Sequence, residues 1–262
     1  MKLRLQQVSV VLLLALLAGC ATVGEDGRVI DKEKKRAEVS QANTMLGVEY
    51  LRAGNYEMSR EKLEKALDAD PRNTQAHDAI AVLFEQVGEP DKAEKHYRKS
   101  LRLNPDNPRG HNNYGQFLCV QGRYEDAEKE FLVAANDPFY PVPSLALTNA
   151  GLCALRIPDE EMAEKYFRKA LDFDPKYPPA LLQMATLSYS RSNYMSARGY
   201  LQRYRESGKD TPESLWLGIR TEYALDDHRA WGNYALILRN NFPDSPQAAE
   251  LQKWENERRS GK

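Results

Sequence analysis

The stretch Tyr114-Gly115-Gln116-Phe117-Leu118-Cys119-Val120-Gln121-Gly122-Arg123-Tyr124-Glu125-Asp126-Ala127-Glu128-Lys129-Glu130-Phe131-Leu132-Val133-Ala134 decides the fold. Gly122-Arg123 breaks it into two runs of helical periodicity, since glycine just past a periodic run ends a helix. If the runs fold back on each other, Gly115 in the first faces Ala127 in the second. Two small residues then let the helices approach closely, while Tyr114, Leu118 and Phe131 fill the gaps. Outward from this hairpin the arrangement recurs. Lys65-Ala66-Leu67 is followed by Asp70-Pro71, Lys99-Ser100-Leu101 by Asn104-Pro105, and Lys169-Ala170-Leu171 by Asp174-Pro175. Pro71 and Pro105 lie 34 residues apart, and Pro175 follows after two such periods plus two residues.

A 34-residue period carrying a bulky residue, Leu-Gly, Tyr, Ala, Phe, Ala and Pro at set offsets is that of the tetratricopeptide repeat. Six units fit it. The first has Leu46-Gly47, Tyr50, Ser59, Leu63, Ala66 and Pro71, and the second Ile80-Ala81, Phe84, Ala93, Tyr97, Ser100 and Pro105. The third is the stretch quoted above. The fourth has Ala150-Gly151, Ala154, Ala163, Phe167, Ala170 and Pro175, and the fifth Met184-Ala185, Ser188, Ala197, Leu201 and Tyr204. The sixth is weaker, with Leu217-Gly218, Ala230 and Tyr234. One hairpin cannot bury its apolar face alone, so stacking must make the core. The expected fold is all-α: a right-handed superhelix of six helix hairpins plus a C-terminal capping helix from about Ser245 to Arg259, with Ala249, Leu251 and Trp254 turned inward.

One segment departs from the period. Asp137-Pro138-Phe139-Tyr140-Pro141-Val142-Pro143 adds two residues and concentrates three prolines with two aromatics. It reads either as a stiff connector between the third and fourth repeats or as a partner-contacting loop.

The N-terminus sets the compartment. Lys2 and Arg4 form a positive start, Val8 to Ala18 is almost unbroken apolar sequence, and small Ala18 and Gly19 follow, the layout of a secretory signal. The run is too short for a comfortable membrane-spanning helix. Leu17-Ala18-Gly19-Cys20 resembles the lipobox of bacterial lipoproteins, which implies lipidation of Cys20 and cleavage before it. The plainer alternative is a secreted protein whose signal happens to end in cysteine. Ala21 in place of aspartate implies sorting to the periplasmic face of the outer membrane. The expected organisation is a signal peptide over 1–19, a lipidated N-terminus and charged tether over 20–39 that includes Lys32-Glu33-Lys34-Lys35-Arg36, and the repeat domain over 40–262.

Composition narrows the function classes. Lys+Arg 37 against Asp+Glu 38 gives a net charge of −1, so no basic stripe points to nucleic acid. His77, His96, His111 and His228 are scattered, and no His-Glu-x-x-His, Cys-x-x-Cys, Gly-x-Ser-x-Gly or phosphate loop is present. The expectation is no catalytic site, no metal and no cofactor. His77 and His111 stand at the fourth position of their repeats, normally a packing site.

In stacked hairpins the first helices line a concave groove. At its inward positions the first repeat offers Gln41, Thr44, Met45, Val48, Leu51 and Arg52, an apolar face suited to an apolar or helical peptide or else one that merely packs on a neighbour. The third and fourth repeats offer Asn112, Asn113, Gln116 and Asn149, whose carboxamides can donate and accept towards a peptide backbone or simply be solvated. Thr44 and Val48 replace the cationic and amide residues that chaperone-type repeats use to clamp a C-terminal carboxylate, which disfavours that ligand at this place. Cys119 and Cys153 fall at nearly the same level of two neighbouring first helices. They read either as a disulfide, if their side chains face, or as two small buried hydrophobes.

The strings His111-Asn112-Asn113-Tyr114-Gly115-Gln116-Phe117-Leu118-Cys119, Asn149-Ala150-Gly151-Leu152-Cys153, Pro178-Pro179-Ala180-Leu181-Leu182, Leu201-Gln202-Arg203-Tyr204 and Phe242-Pro243-Asp244-Ser245 together resemble the PilF/PilW family of type IV pilus biogenesis lipoproteins. The resemblance runs over nearly the whole chain. It implies a pilotin: a monomer that binds outer-membrane secretin subunits, is held in outer-membrane lipid through Cys20, and promotes secretin localisation and multimerisation. It also implies pairing of Cys119 with Cys153. The alternative is a lipoprotein adaptor for β-barrel assembly or for recruiting peptidoglycan hydrolases.

Overall fold

The computed structural model describes residues 22–23, 29–30, 32–157, 159–207 and 209–259. The signal segment and Cys20 lie outside the described residues. The chain divides into two compact units, one up to Pro105 and one from Asp106 onwards.

In the first unit, two-residue strands β1 (Thr22–Val23) and β2 (Val29–Ile30) pair antiparallel, with Thr22 opposite Ile30. Two hairpins follow, α1 (Lys32–Arg52) with α2 (Tyr56–Ala69) and α3 (Thr74–Gln86) with α4 (Pro90–Leu103). The tether boundary near residue 39 needs correction, because the chain is helical from Lys32. Lys, Glu and Ala are good helix formers, and the absence of an apolar period hid a helix that tertiary contacts hold. The Arg36 Nε–H donates to the Ala69 carbonyl at 3.0 Å. Asn73 ties the first repeat to the second: its side-chain oxygen caps α3 by accepting from the Ala76 N–H at 3.0 Å. Its amide donates to Ser40 Oγ at 2.8 Å and Thr44 Oγ1 at 3.2 Å.

The second unit holds four hairpins and a terminal helix: α5 (Pro108–Val120) with α6 (Tyr124–Asn136), α7 (Pro143–Ala154) with α8 (Glu160–Phe173), α9 (Pro178–Ser190) with α10 (Tyr194–Glu206), and α11 (Pro212–Ala224) with α12 (His228–Asn241), then α13 (Pro246–Arg259). Each hairpin packs on the next, second helix to first and first helix to first, and α13 covers α11 and α12. The expected hairpins and terminal helix are thus present, and the strand pair is the one addition among the described residues. Prolines start α5, α7, α9 and α11, where a missing N–H costs nothing and a fixed φ suits the first turn.

The close approach inside a hairpin involves the expected small residue and a large one besides: a Cβ on Gly115 would stand 3.2 Å from the Ala127 carbonyl, and the Ser59 hydroxyl donates to the Gly47 carbonyl at 2.8 Å. A Cβ on Gly115 would stand 2.8 Å from the Phe131 ring, one on Gly151 2.5 Å from Phe167, and one on Gly218 2.7 Å from Tyr234. The glycine makes room chiefly for the large residue one turn beyond the small one. The inward face of α13 also shifts: Ala248 and Leu251 are buried while Ala249 is exposed, and Trp254 is half-buried. In the connector before α7, Tyr140 is buried and Phe139 stands 90 % exposed.

Candidate functional site

The first-repeat face is built on α1. Met45 is 64 % exposed and Leu46 48 %, with Val48 and Leu51 of the same helix half-buried. Thr44 is withdrawn from this face: buried, it donates from Oγ1 to the Ser40 carbonyl at 2.8 Å and accepts from Asn73. The surface on offer is therefore apolar, edged by exposed Gln41 and by an Arg52–Glu49 ion pair at 2.7 Å. Such a face takes apolar side chains out of water rather than reading a charge.

On the second helix face of the same unit, His77 and His96 meet with their Nδ1 atoms 2.9 Å apart. The His77 Nε2–H donates to the Pro71 carbonyl at 3.1 Å, so His77 Nδ1 is the acceptor and His96 the donor. Burial depresses both imidazoles, His96 to about 4 with the neighbouring His77 and Lys95 adding to the effect. His111 in α5 makes the equivalent link to Glu130 in α6 at 2.5 Å. The fourth-position histidines thus join the two helices of a hairpin.

In the second unit the structure separates the four predicted carboxamides. Asn112 is buried; it accepts from the Asn149 amide at 2.9 Å and lies 3.4 Å from Asn113 Oδ1 as a donor. Asn112 and Asn149 therefore bridge α5 and α7, while Gln116 is exposed and Asn113 half-buried on the open face. Cys119 and Cys153 form a disulfide between the same two helices, Cα atoms 5.8 Å apart. Exposed Val120 and Leu152 lie beside it in sequence.

The last repeat holds features the sequence reading passed over. Buried Glu222 accepts from Arg198 of α10, which also reaches Asp227. The terminal helix adds an aromatic array: Trp254 of α13 meets Trp216, Tyr223 and Trp231 edge-on with ring centroids 6.2, 4.9 and 5.7 Å away. The signal was available, since all three tryptophans of the chain fall after residue 215.

Among the described residues, no three His, Cys, Asp or Glu side chains converge as metal ligands, and no helix is long and apolar enough to cross a membrane.

Tetratricopeptide-repeat models match residues 44–108, 79–141 and 145–177. The type IV pilus assembly protein PilF of Pseudomonas aeruginosa is 38% identical over 247 residues, covering 94% of this chain and 98% of that protein. Its solved structure superposes with a TM-score of 0.71 at 37% identity, over 84% of this chain and 99% of that one. The structure of PilW, a widely conserved type IV pilus biogenesis factor, gives 0.70 at 30% identity, over 82% and 98%.

Proposed function

The chain belongs to the PilF/PilW family of tetratricopeptide-repeat proteins of type IV pilus biogenesis, and from that premise we propose that it is a pilotin, an outer-membrane lipoprotein that grips secretin subunits. The observation that carries the grip is the apolar surface of α1, with Met45 and Leu46 in water and Val48 and Leu51 partly so. An exposed apolar stripe on a repeat scaffold gains free energy by taking a partner's apolar side chains out of water. In this reading residues 1–19 are the signal peptide and Cys20 carries the acyl chains. The segment between Cys20 and Lys32 links membrane to scaffold. The anchor supplies the address, because several chains on one residue hold it in a bilayer. The groove supplies the partner. Asn113 and Gln116 of the second unit, taken by themselves, offer carboxamides to the backbone of a partner chain. The role is that of a scaffold holding a chain, with no reaction carried out on it.

The experiment is to express Met45→Glu with Val48→Glu in a strain lacking the native protein and follow secretin multimers in isolated outer membranes. Multimers should fall to the level of the deletion while the variant keeps its helical circular dichroism. Normal multimers in that variant would overturn the grip, and a general loss of barrel proteins in the deletion strain would favour a barrel-assembly adaptor.

A further inference from the structure

Two arginines at the end of the second unit are set apart from the ion pairs around them. Arg220 of α11 lies with its guanidinium carbon 4.9 Å from the centroid of the Tyr189 ring of α9 and 5.7 Å from that of Trp216. Arg258 of α13 stands over Tyr223 at 4.3 Å and over Trp254 at 4.9 Å. Trp216 and Trp254 touch edge-on, so the two cations are joined through one set of rings. Nearby arginines are neutralised: Arg198 by Glu222, Arg205 by Asp210, Arg239 by Glu255. Among the described residues neither Arg220 nor Arg258 has a carboxylate partner, and the Nε–H of Arg220 is out of water with no acceptor.

Stacking on rings fixes a guanidinium plane while leaving the paired N–H groups at its edge for an acceptor. That edge matches a planar carboxylate in two-point geometry, and the rings around it lower the local dielectric, which strengthens the bond. We propose that Arg220 and Arg258, with Tyr189, Trp216, Tyr223 and Trp254, form a second binding site, for an acidic peptide segment of a partner protein. Carboxylates engage the two guanidinium edges, and the exposed part of Tyr223 takes apolar contact. A polyanionic surface is the poorer fit: nucleic acid and anionic bilayers are held by broad basic patches, whereas this chain has net charge −1 and offers two fixed cations among rings. The site is independent of the secretin reading, since it uses no residue of α1.

The test titrates the full-length chain, held in a neutral detergent, with a short acetylated and amidated peptide containing two glutamates. Tryptophan fluorescence and the arginine Nε–H resonances of nitrogen-labelled protein are the readouts. Saturable changes are expected with this peptide and not with its glutamine counterpart. Arg220→Gln and Arg258→Gln should each weaken binding roughly tenfold or more. Arg220→Lys should not restore it, because an ammonium lacks the stacked fork. Arg258 is exposed on the last helix, so its variant keeps the test open if Arg220→Gln unfolds. Equal binding of the glutamine peptide, an unchanged affinity in Arg258→Gln, or saturation by phosphatidylglycerol vesicles with none by the peptide would overturn the proposal.

Discussion

Gly151 shows how one residue sets a helix spacing. A Cβ there would fall 2.5 Å from a ring carbon of Phe167, itself fully buried, so neither side has room to retreat. Gly151→Ala should therefore destabilise the protein by about 1–3 kcal/mol through overpacking, although alanine is the better helix former. Urea unfolding with an unchanged slope would measure it, and a stabilised variant would mean that the hairpin spreads freely. Glycine in this place was legible from the repeat pattern. Its contact was not, because the pattern pairs positions and says nothing of how far a phenylalanine reaches.

Elements respond to what joins them. The α3–α4 hairpin carries the His77–His96 pair, faced by Lys95, Lys99 and Asp70. Both imidazoles are depressed in the fold, His96 to about 4, while in the unfolded chain they take up protons near the ordinary value of 6.5. Between those values the unfolded state binds more protons, so stability rises with pH. It should be complete above about pH 6.5 and decline as pH falls towards 4, and His96→Gln should flatten that slope. Thermal melting at stepped pH is the check, and a wild-type profile flat from 7 to 5 would refute it. The α5–α7 contact is different in kind, since a disulfide closes a loop of sequence separation 34 across the lengthened connector. In the chain-entropy model such a loop contributes about 3–4 kcal/mol. Reduction, or Cys119→Ser with Cys153→Ser, should lower the urea midpoint of the second unit, read by Trp216, Trp231 and Trp254. The histidines' fourth position was visible in the sequence, but their partners stand on the other helix and only folding pairs them. Asn112 is turned into the fold for the same reason: its Oδ1 accepts from the Asn149 amide of another helix.

At the scale of the whole molecule the proposed function joins a scaffold to an address. Replacing Cys20 by Ser removes the sulfur that would carry the lipid. The variant should leave the outer-membrane fraction for the soluble periplasm or remain unprocessed, with secretin multimers falling in parallel. Persistence of Cys20→Ser in washed outer membranes would refute the anchor. Repeat proteins gain stability from neighbours only, so this change should leave the melting of the repeats untouched.

The sequence by itself determined the hairpins, their order and the terminal helix, because a 34-residue period of small and large residues is a local pattern written within each hairpin and repeated along the chain. It also carried the family resemblance through strings spread over the chain. Tertiary structure decided where the first repeat begins, since α1 from Lys32 is held by Arg36 and Asn73 contacts rather than by an apolar stripe. It likewise decided which polar groups remain open. Asn112 and Thr44 are consumed by neighbours while Arg220 and Arg258 are stacked and left without carboxylates, because hydrogen-bond partners come from helices far apart in sequence and no periodicity records them.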